Sequence, residues 1–352
     1  MAVDRLRTAL GALADPHSFV PALALGGETR EQLITQLERM LLIRRAEEAI
    51  AELITAGEVR CPCHLAIGQE ACAVGVATAL RSGDRAFGAH RSHGHYLAMG
   101  GDLDAMAAEV LGRSTGCSGG MGGSMHLVAP DRGLLGTVPI VAATIPMAVG
   151  AALAAKLEGS SGLAVSFFGD GATEEGVFHE SMNLASILAL PVIFVCENNL
   201  FSSHLHISIR QPADSVARYA DAHLVASEVV DGNDICAVTA ATRRAAARAR
   251  AGEGPTFLEL VTYRWRGHVG PSEDMDVGVR RNQDLVHWKG RDPIARLREA
   301  LLAAGSLGTA EAEALDGAVT RRVGEAVAKA RLAPFPSADS TERWVFASRN
   351  HG

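Results

Sequence analysis

Gly169-Asp170-Gly171 and, after 26 intervening residues, Asn198-Asn199 are the positions whose types and spacing point most directly to chemistry. A carboxylate, a side-chain amide and nearby backbone carbonyls are hard oxygen donors. That set suits Mg²⁺, which keeps its other positions for water and phosphate oxygens. The glycines let the backbone come close to a diphosphate. Alone, GDG would serve equally as a tight strand-to-helix turn, so its meaning depends on what flanks it. Two other phosphate motifs fail on spacing. The third glycine of a dinucleotide fingerprint would fall at Gly176, two residues late, and no Gly-x-x-x-x-Gly-Lys-Ser/Thr occurs.

The flanking elements support more than a turn. Residues 163–168 are a short apolar run ending at Gly169, residues 173–190 read as a helix stopped by Pro191, and residues 192–196 are a second β-branched run. GDG then closes one strand and the Asn pair the next. In an open parallel sheet both carboxyl ends lie on the ligand-binding edge. A helix starting near Thr173 would turn its N-terminal amides toward the same spot and favour an anion there. Strands near 224–230 and 256–263, with a helix near 234–250, continue the alternation. The expected fold is α/β, a mainly parallel sheet with helices on both faces.

Upstream, Thr29 and Gln32 have capping-box spacing, and Leu33, Leu37, Met40, Leu41, Ile50, Leu53 and Ile54 recur at helical intervals until Gly57. A small-residue helix follows Gly68 as far as about Leu80, and residues 112–124 form a glycine-rich loop. Residues 265–291 are polar and rich in turn formers, which predicts a long mobile loop. Asp292-Pro293 opens a C-terminal helical region. The expected organisation is a lead-in at 1–27, one domain at 28–335 and a tail at 336–352.

Composition narrows the class. The 352 residues are 48% hydrophobic and 21% charged, enough to bury a full core. A net charge of −7 argues against a surface that coats nucleic acid or binds anionic membranes. Arg243, Arg244, Arg248 and Arg250 read as the solvated face of an Ala-rich helix. Residues 1–14 lack the apolar core of a signal peptide. Residues 133–155 are uncharged, but Pro139, Pro146 and three glycines favour a buried loop and a core helix over a membrane span. Six scattered cysteines do not make a disulfide scaffold, so a cytoplasmic protein is expected. Cys61-Pro-Cys63-His64 and His90-x-x-His93-x-His95 hold zinc-ligand types without finger-like spacing. Cys117 reads as a small buried residue or a contact near an entrance.

The run GDGATEEGVFHESMNLASILALPVIFVCENN resembles the thiamine diphosphate motif of the α subunit of the decarboxylating component of 2-oxoacid dehydrogenase complexes, the pyruvate, branched-chain and acetoin group. The resemblance runs from about residue 30 to 335 through CHLAIGQEA (63–71), AHRSHGHYLAMGGD (89–102), GCSGGMGGSMH (116–126), TVPIVAATIPMAVGAA (137–152) and YRWRGH (263–268). It implies thiamine diphosphate and Mg²⁺ as cofactors. Asp170, Asn199 and the Phe201 carbonyl would be the metal ligands. Gly169, Gly171 and Ala172 would line the diphosphate, with Arg91 on its terminal phosphate. His90, where the family often has Tyr, would sit beside Arg91. Pro139 and Val141 would meet the aminopyrimidine, Pro139 through its carbonyl alone. His268 would be the active-site histidine, with His64 and His93 as further pocket histidines suited to proton transfer.

The implied reaction cleaves a 2-oxoacid or acetoin to an enamine and passes the acyl group to a lipoyl acceptor. The implied partners are a β subunit, in an α₂β₂ heterotetramer, and a lipoyl-bearing acyltransferase. A free-standing α/β carboligase that forms acyloins is the alternative. Two departures stand out. Val269 occupies the place of a regulatory serine, and Arg266 replaces a histidine two positions before His268, either facing an acidic substrate or facing solvent.

Overall fold

The computed structural model describes residues 8–18, 22–274 and 281–340. The first seven residues of the lead-in and most of the tail, 341–352, lie outside this set. Six strands form one parallel sheet: β1 (Arg85–Gly88), β2 (Leu134–Thr137), β3 (Ala164–Gly169), β4 (Val192–Asn198), β7 (Ala226–Asp231) and β8 (Thr256–Val261). Their order is β2-β1-β3-β4-β8-β7. A separate antiparallel pair, β5 (Phe201–Ser202) and β6 (Leu205–His206), follows β4 directly.

Each central strand is buried on both faces, so its side chains alternate between two cores. Val165 and Phe167 of β3, Ile193 and Val195 of β4, and Leu258 and Leu260 of β8 enter one core. Ala164 and Phe168, Val192, Phe194 and Cys196, and Phe257 and Val261 enter the other. The first core is covered by helices α1 (Arg30–Thr55), α2 (Glu70–Ala79), α8 (Ile235–Arg250), α10 (Pro293–Ala303) and α11 (Thr309–Leu332), with α3 (His93–Ala98) and α4 (Leu103–Val110) at its edge. The second is covered by α5 (Thr144–Leu157), α6 (Gly176–Ile187) and the short α7 (Arg218–Ala222). The expected α/β architecture with helices on both faces is therefore present.

Local signals explain several boundaries. The Thr29–Gln32 capping box forms, with Gln32 Oε1 accepting from the Thr29 N–H at 2.8 Å. Asp292 caps α10 by accepting from the Ile294 N–H at 3.1 Å. Arg244 and Arg248 do point outward to surface carboxylates, whereas Arg243 pairs with the largely covered carboxylate of Glu28 and Arg250 with the buried Asp84.

Three expectations need correction. Residues 265–291 are not one loop: α9 (Arg281–Lys289) lies inside them, anchored by Trp288, which stacks on Tyr263 at 5.1 Å. Buried Arg281 shares that helix's inner face with Leu285 and Trp288, which interrupts the usual apolar period. The helix expected from Thr173 begins at Gly176. Residues 170–174 form a 3₁₀ turn and Glu175 is extended, so the chain kinks between the two. Finally, β1 and β2 were not anticipated. Each has four residues, and together they contain no Val or Ile. Within the lead-in, Leu10 is buried and its N–H, like that of Ala9, donates to Asp214. Among the described residues no helix is long and apolar enough to cross a membrane.

Candidate active site

The parallel register pairs Gly169 at the end of β3 with Glu197 near the end of β4. That brings GDG and the Asn pair to adjacent strand ends, as expected. A cavity of about 180 Å³ opens there. Asp170, Gly169, Gly171, Ala172, Asn199, Phe201, His90, Arg91, Val141 and His268 all line it. Pro139 is half-buried and outside the lining, although its neighbours Val141 and Ala142 are within it.

The two asparagines divide their work. Asn198 is structural: its amide N–H groups donate to the Asp214 carbonyl at 3.1 Å and to Glu259 at 2.7 Å. Asn199 donates instead to Gln69 Oε1 at 3.2 Å, while its own Oδ1 accepts from the Phe201 N–H at 3.2 Å. The Phe201 N–H, which can only donate, thereby fixes which end of the Asn199 amide is oxygen. Leu200 and Ser203 both adopt positive φ around Phe201, a cost of order 1–3 kcal/mol per strained residue that clusters where function demands geometry.

Asp170 is almost wholly buried. Its Oδ2 accepts from Arg210, whose other arm reaches Glu174, while Oδ1 has no hydrogen-bond partner. Burial pushes the Asp170 carboxyl up, and Arg210 offsets only part of that. A buried, partnerless carboxylate oxygen is costly unless a cation completes it. This donor set fits a hard divalent ion. A diphosphate fits too. A Cβ placed on Gly171 would lie 2.4 Å from Ser202 Oγ, so that turn has room for backbone alone.

Positive charge is concentrated beside the cavity. Arg91 is buried, donating to the Leu65 carbonyl at 2.7 Å and reaching the His268 carbonyl at 3.5 Å. Burial lowers its pKa to about 10, so it remains a cation at neutral pH. Arg264 and Arg281, also buried, stand behind it around Asp274, whose Oδ2 accepts from the His268 N–H at 2.7 Å.

Three imidazoles converge. The rings of His64 and His90 lie 4.5 Å apart, His64 and His268 4.9 Å, and His90 and His268 5.5 Å. Burial first, then Arg91, lowers them to about 3 for His64, 2 for His90 and 4 for His268. All three are neutral at pH 7. Their ligand-capable nitrogens fall within 4.8 Å of one another, a grouping that crosses both of the sequence motifs with zinc-type residues. Of the three, His90 and His268 line the cavity and His64 packs behind them; His93 is also outside the lining. It is fully buried between Glu47 Oε2 at 2.8 Å and Ser124 Oγ at 2.8 Å. Burial works against its protonation, but Glu47 outweighs that and leaves its pKa raised.

Sequence reasoning missed Glu197 and His95, a pair at 3.0 Å in the cavity wall, and Gln69 and Arg210. Gln69 sits in the CHLAIGQEA motif, so a signal existed. Glu197 and His95 likewise lie in quoted runs, whereas Arg210 lies in none. Arg266 donates to the Pro271 carbonyl at 3.1 Å and is outside the lining, so it braces its own loop. Val269 is exposed, and Cys117 is half-buried in the glycine-rich loop away from the cavity.

The family model described as dehydrogenase E1 component matches residues 38–339. The α subunit of acetoin:2,6-dichlorophenolindophenol oxidoreductase from Bacillus subtilis (strain 168) is 37% identical over 92% of this chain and 96% of its own length. The pyruvate dehydrogenase E1 component α subunit from Zymomonas mobilis is 36% identical over 93% of this chain and 92% of its own length. The somatic mitochondrial form from Homo sapiens is 33% identical over 91% and 81% respectively. By match length and identity together, the chain belongs to the dehydrogenase E1 component family.

Proposed function

We propose that this chain is the α subunit of a thiamine diphosphate-dependent dehydrogenase that acts on a 2-oxoacid or acetoin. The observation that carries the reading is the gathering of Asp170, Asn199, Phe201, Arg91 and His268 around one cavity at the carboxyl edge of the sheet. Thiamine diphosphate, when bound, supplies the electron sink that makes cleavage next to a keto carbon feasible.

The chain's own residues hold, orient and exclude water. Asp170 Oδ1, the Asn199 side chain and the Phe201 carbonyl would hold Mg²⁺. Gly169, Gly171 and Ala172 would accept the diphosphate, with Arg91 as its fixed countercharge and His90 beside it. Pro139 and Val141 would border the aminopyrimidine. His268 and His64, both neutral, would donate or accept a proton at the substrate oxygen. His93 acts one layer back, as a positioning residue between Glu47 and Ser124.

An incomplete wall supports a β partner. Val141 lines the cavity yet is 49% exposed, and adjacent Ile140 is 68% exposed. Large apolar groups at a cavity mouth are what a second subunit would cover, and an α₂β₂ assembly is the proposed form. A lipoyl-bearing acyltransferase would receive the acyl group. The relatives above carry oxidoreductase and dehydrogenase names, which favours this fate over acyloin formation by a carboligase.

The test is product analysis on the chain co-purified with its β partner, given thiamine diphosphate, Mg²⁺ and a panel of 2-oxoacids plus acetoin. Reduction of an artificial electron acceptor with acid formation, absent in Asp170→Ala, is the expected result. An acyloin product without acceptor reduction would overturn the dehydrogenase reading.

A further inference from the structure

The Cys-Pro-Cys segment has no part in the cofactor site, yet its two thiols are arranged for chemistry. Cys61 Sγ and Cys63 Sγ lie 3.9 Å apart. Cys61 is half-buried and lines a second cavity of about 500 Å³ that includes Arg60, Met121 and Gly122. Cys63 is buried beneath it. The Ser124 N–H donates to Cys61 Sγ at 3.4 Å.

These contacts give the pair opposite characters. Donation from the Cys63 thiol, with help from the Ser124 amide and His93, lowers Cys61 to about 6 despite its partial burial. The same bond, together with burial, pushes the Cys63 thiol up. The half-buried sulfur is thus shifted toward the thiolate and its buried neighbour toward the thiol. Thiolate character with access is what selects an oxidisable cysteine, and an adjacent thiol is what resolves it. The other buried thiols, Cys72, Cys196 and Cys236, are all pushed up, desolvation first.

We propose that Cys61 and Cys63 form a thiol-oxidation site for hydroperoxides, Cys61 as the nucleophile and Cys63 as the resolving thiol. The Cys61 thiolate attacks the terminal peroxide oxygen and the O–O bond breaks. Cys61 becomes a sulfenic acid, while the peroxide is reduced to an alkoxide (hydroxide from hydrogen peroxide) that takes a proton from water. The Cys63 sulfur then attacks the sulfenic sulfur. An S–S bond forms, and the departing hydroxide leaves with the Cys63 proton as water.

The bridge would be felt at the cofactor site. Closing the sulfurs from 3.9 Å to about 2 Å pulls on the backbone between them. The Cys63 carbonyl accepts from the Gly270 N–H at 2.8 Å, two residues beyond His268. The next residue, His64, packs its ring against His268. Oxidation therefore strains the loop that carries His268 from two directions. This consequence rests on the functional reading above, whereas the thiol chemistry does not.

The experiment uses the reduced α/β complex exposed to near-equimolar hydrogen peroxide, followed by alkylation and peptide mass analysis. The tryptic peptide 61–81 contains Cys61, Cys63 and Cys72. Its wild-type form should lose two hydrogens and two alkylatable thiols, both restored by dithiothreitol. Cys63→Ser should accumulate a dimedone-reactive sulfenic acid at Cys61, and Cys61→Ser should slow oxidation of the peptide by about tenfold or more. Proteolysis of the 265–274 loop should rise on oxidation and fall again on reduction. The proposal is overturned if Cys61 and Cys63 survive peroxide as well as Cys72 does, or if Cys61→Ser oxidises at the wild-type rate. Neither result depends on which substrate the enzyme takes.

Discussion

Arg210 holds one oxygen of the Asp170 carboxylate and leaves the other, buried in a cavity-lining residue, without a partner. The same guanidinium reaches Glu174, and the neighbouring Gln211 donates to Glu174 at 2.9 Å. Arg210 thus ties the segment that follows Asn199 and Phe201 to the GDG turn, joining the two halves of the proposed metal site. Residues behind a ligand commonly set metal affinity by about 10–100-fold. Arg210→Ala should weaken Mg²⁺-dependent thiamine diphosphate binding by that order, read by calorimetric titration of Mg²⁺. Arg210→Lys should recover only part, because an ammonium cannot span two carboxylates as a planar fork does. Equal or tighter Mg²⁺ binding in Arg210→Ala would show that the arginine only competes with the ion.

The three neutral imidazoles make a pH prediction with a defined sign. His64, His90 and His268 are lowered to about 3, 2 and 4, whereas an unfolded histidine titrates near 6.5. As pH falls below about 6.5 the unfolded chain binds protons that the folded chain refuses. Their contribution is complete above that pH, declines on acidification, and keeps declining toward the folded values. The melting temperature of the wild-type protein should drop between pH 7 and pH 5. His90→Gln should give a shallower drop by differential scanning fluorimetry, and parallel profiles would remove His90 from the account.

Legibility in the sequence followed how local each signal was. Asp170 and Asn199 were readable because a short strand, a turn and a second short strand place them by chain connectivity alone. His268 and Arg91 were readable only through resemblance, since nothing in their own segments says that two distant loops meet. Arg210 was not readable at all. It reaches Asp170 through a two-stranded hairpin and a 3₁₀ turn, elements too short to leave a periodic pattern. The helix around Trp288 was lost for the opposite reason, a buried arginine where the pattern demands an apolar residue. The Asn pair reads as a unit in sequence, and only the fold shows that Asn198 braces Glu259 while Asn199 faces the cavity.

The exposed apolar mouth of the cavity predicts where assembly is sensitive. Ile140 and Val141 lie three and four residues beyond the end of β2, and Met147 of α5 is also exposed. Ile140 is outside both buried cores, so a charge there should leave the chain folded. Ile140→Asp should weaken association with the β subunit by about tenfold or more, as expected for a centrally placed apolar anchor. Size-exclusion chromatography over a concentration series reads this directly. Assembly at wild-type concentrations would place the partner surface elsewhere.

The glycine-rich loop depends on one buried carboxylate. Glu109, at the end of α4, is fully buried and accepts four backbone N–H groups: Ser118 at 2.7 Å and Gly120 at 2.9 Å on one oxygen, Gly122 at 2.8 Å and Gly123 at 2.9 Å on the other. Gly116 passes so close that a Cβ there would lie 2.3 Å from the same carboxylate. The loop goes on to deliver Ser124 to His93 and its amide to Cys61. A glutamine can offer one oxygen, and its amide nitrogen would face two donors with nothing to accept them. Removing a buried charged acceptor costs about 1–3 kcal/mol for each group left unpaired. Glu109→Gln should therefore destabilise the protein by about 3 kcal/mol, seen as a lower urea midpoint with faster hydrogen exchange at residues 118–124. A midpoint within about 0.5 kcal/mol of wild type, the range of ordinary surface changes, would mean that the loop holds its shape without Glu109.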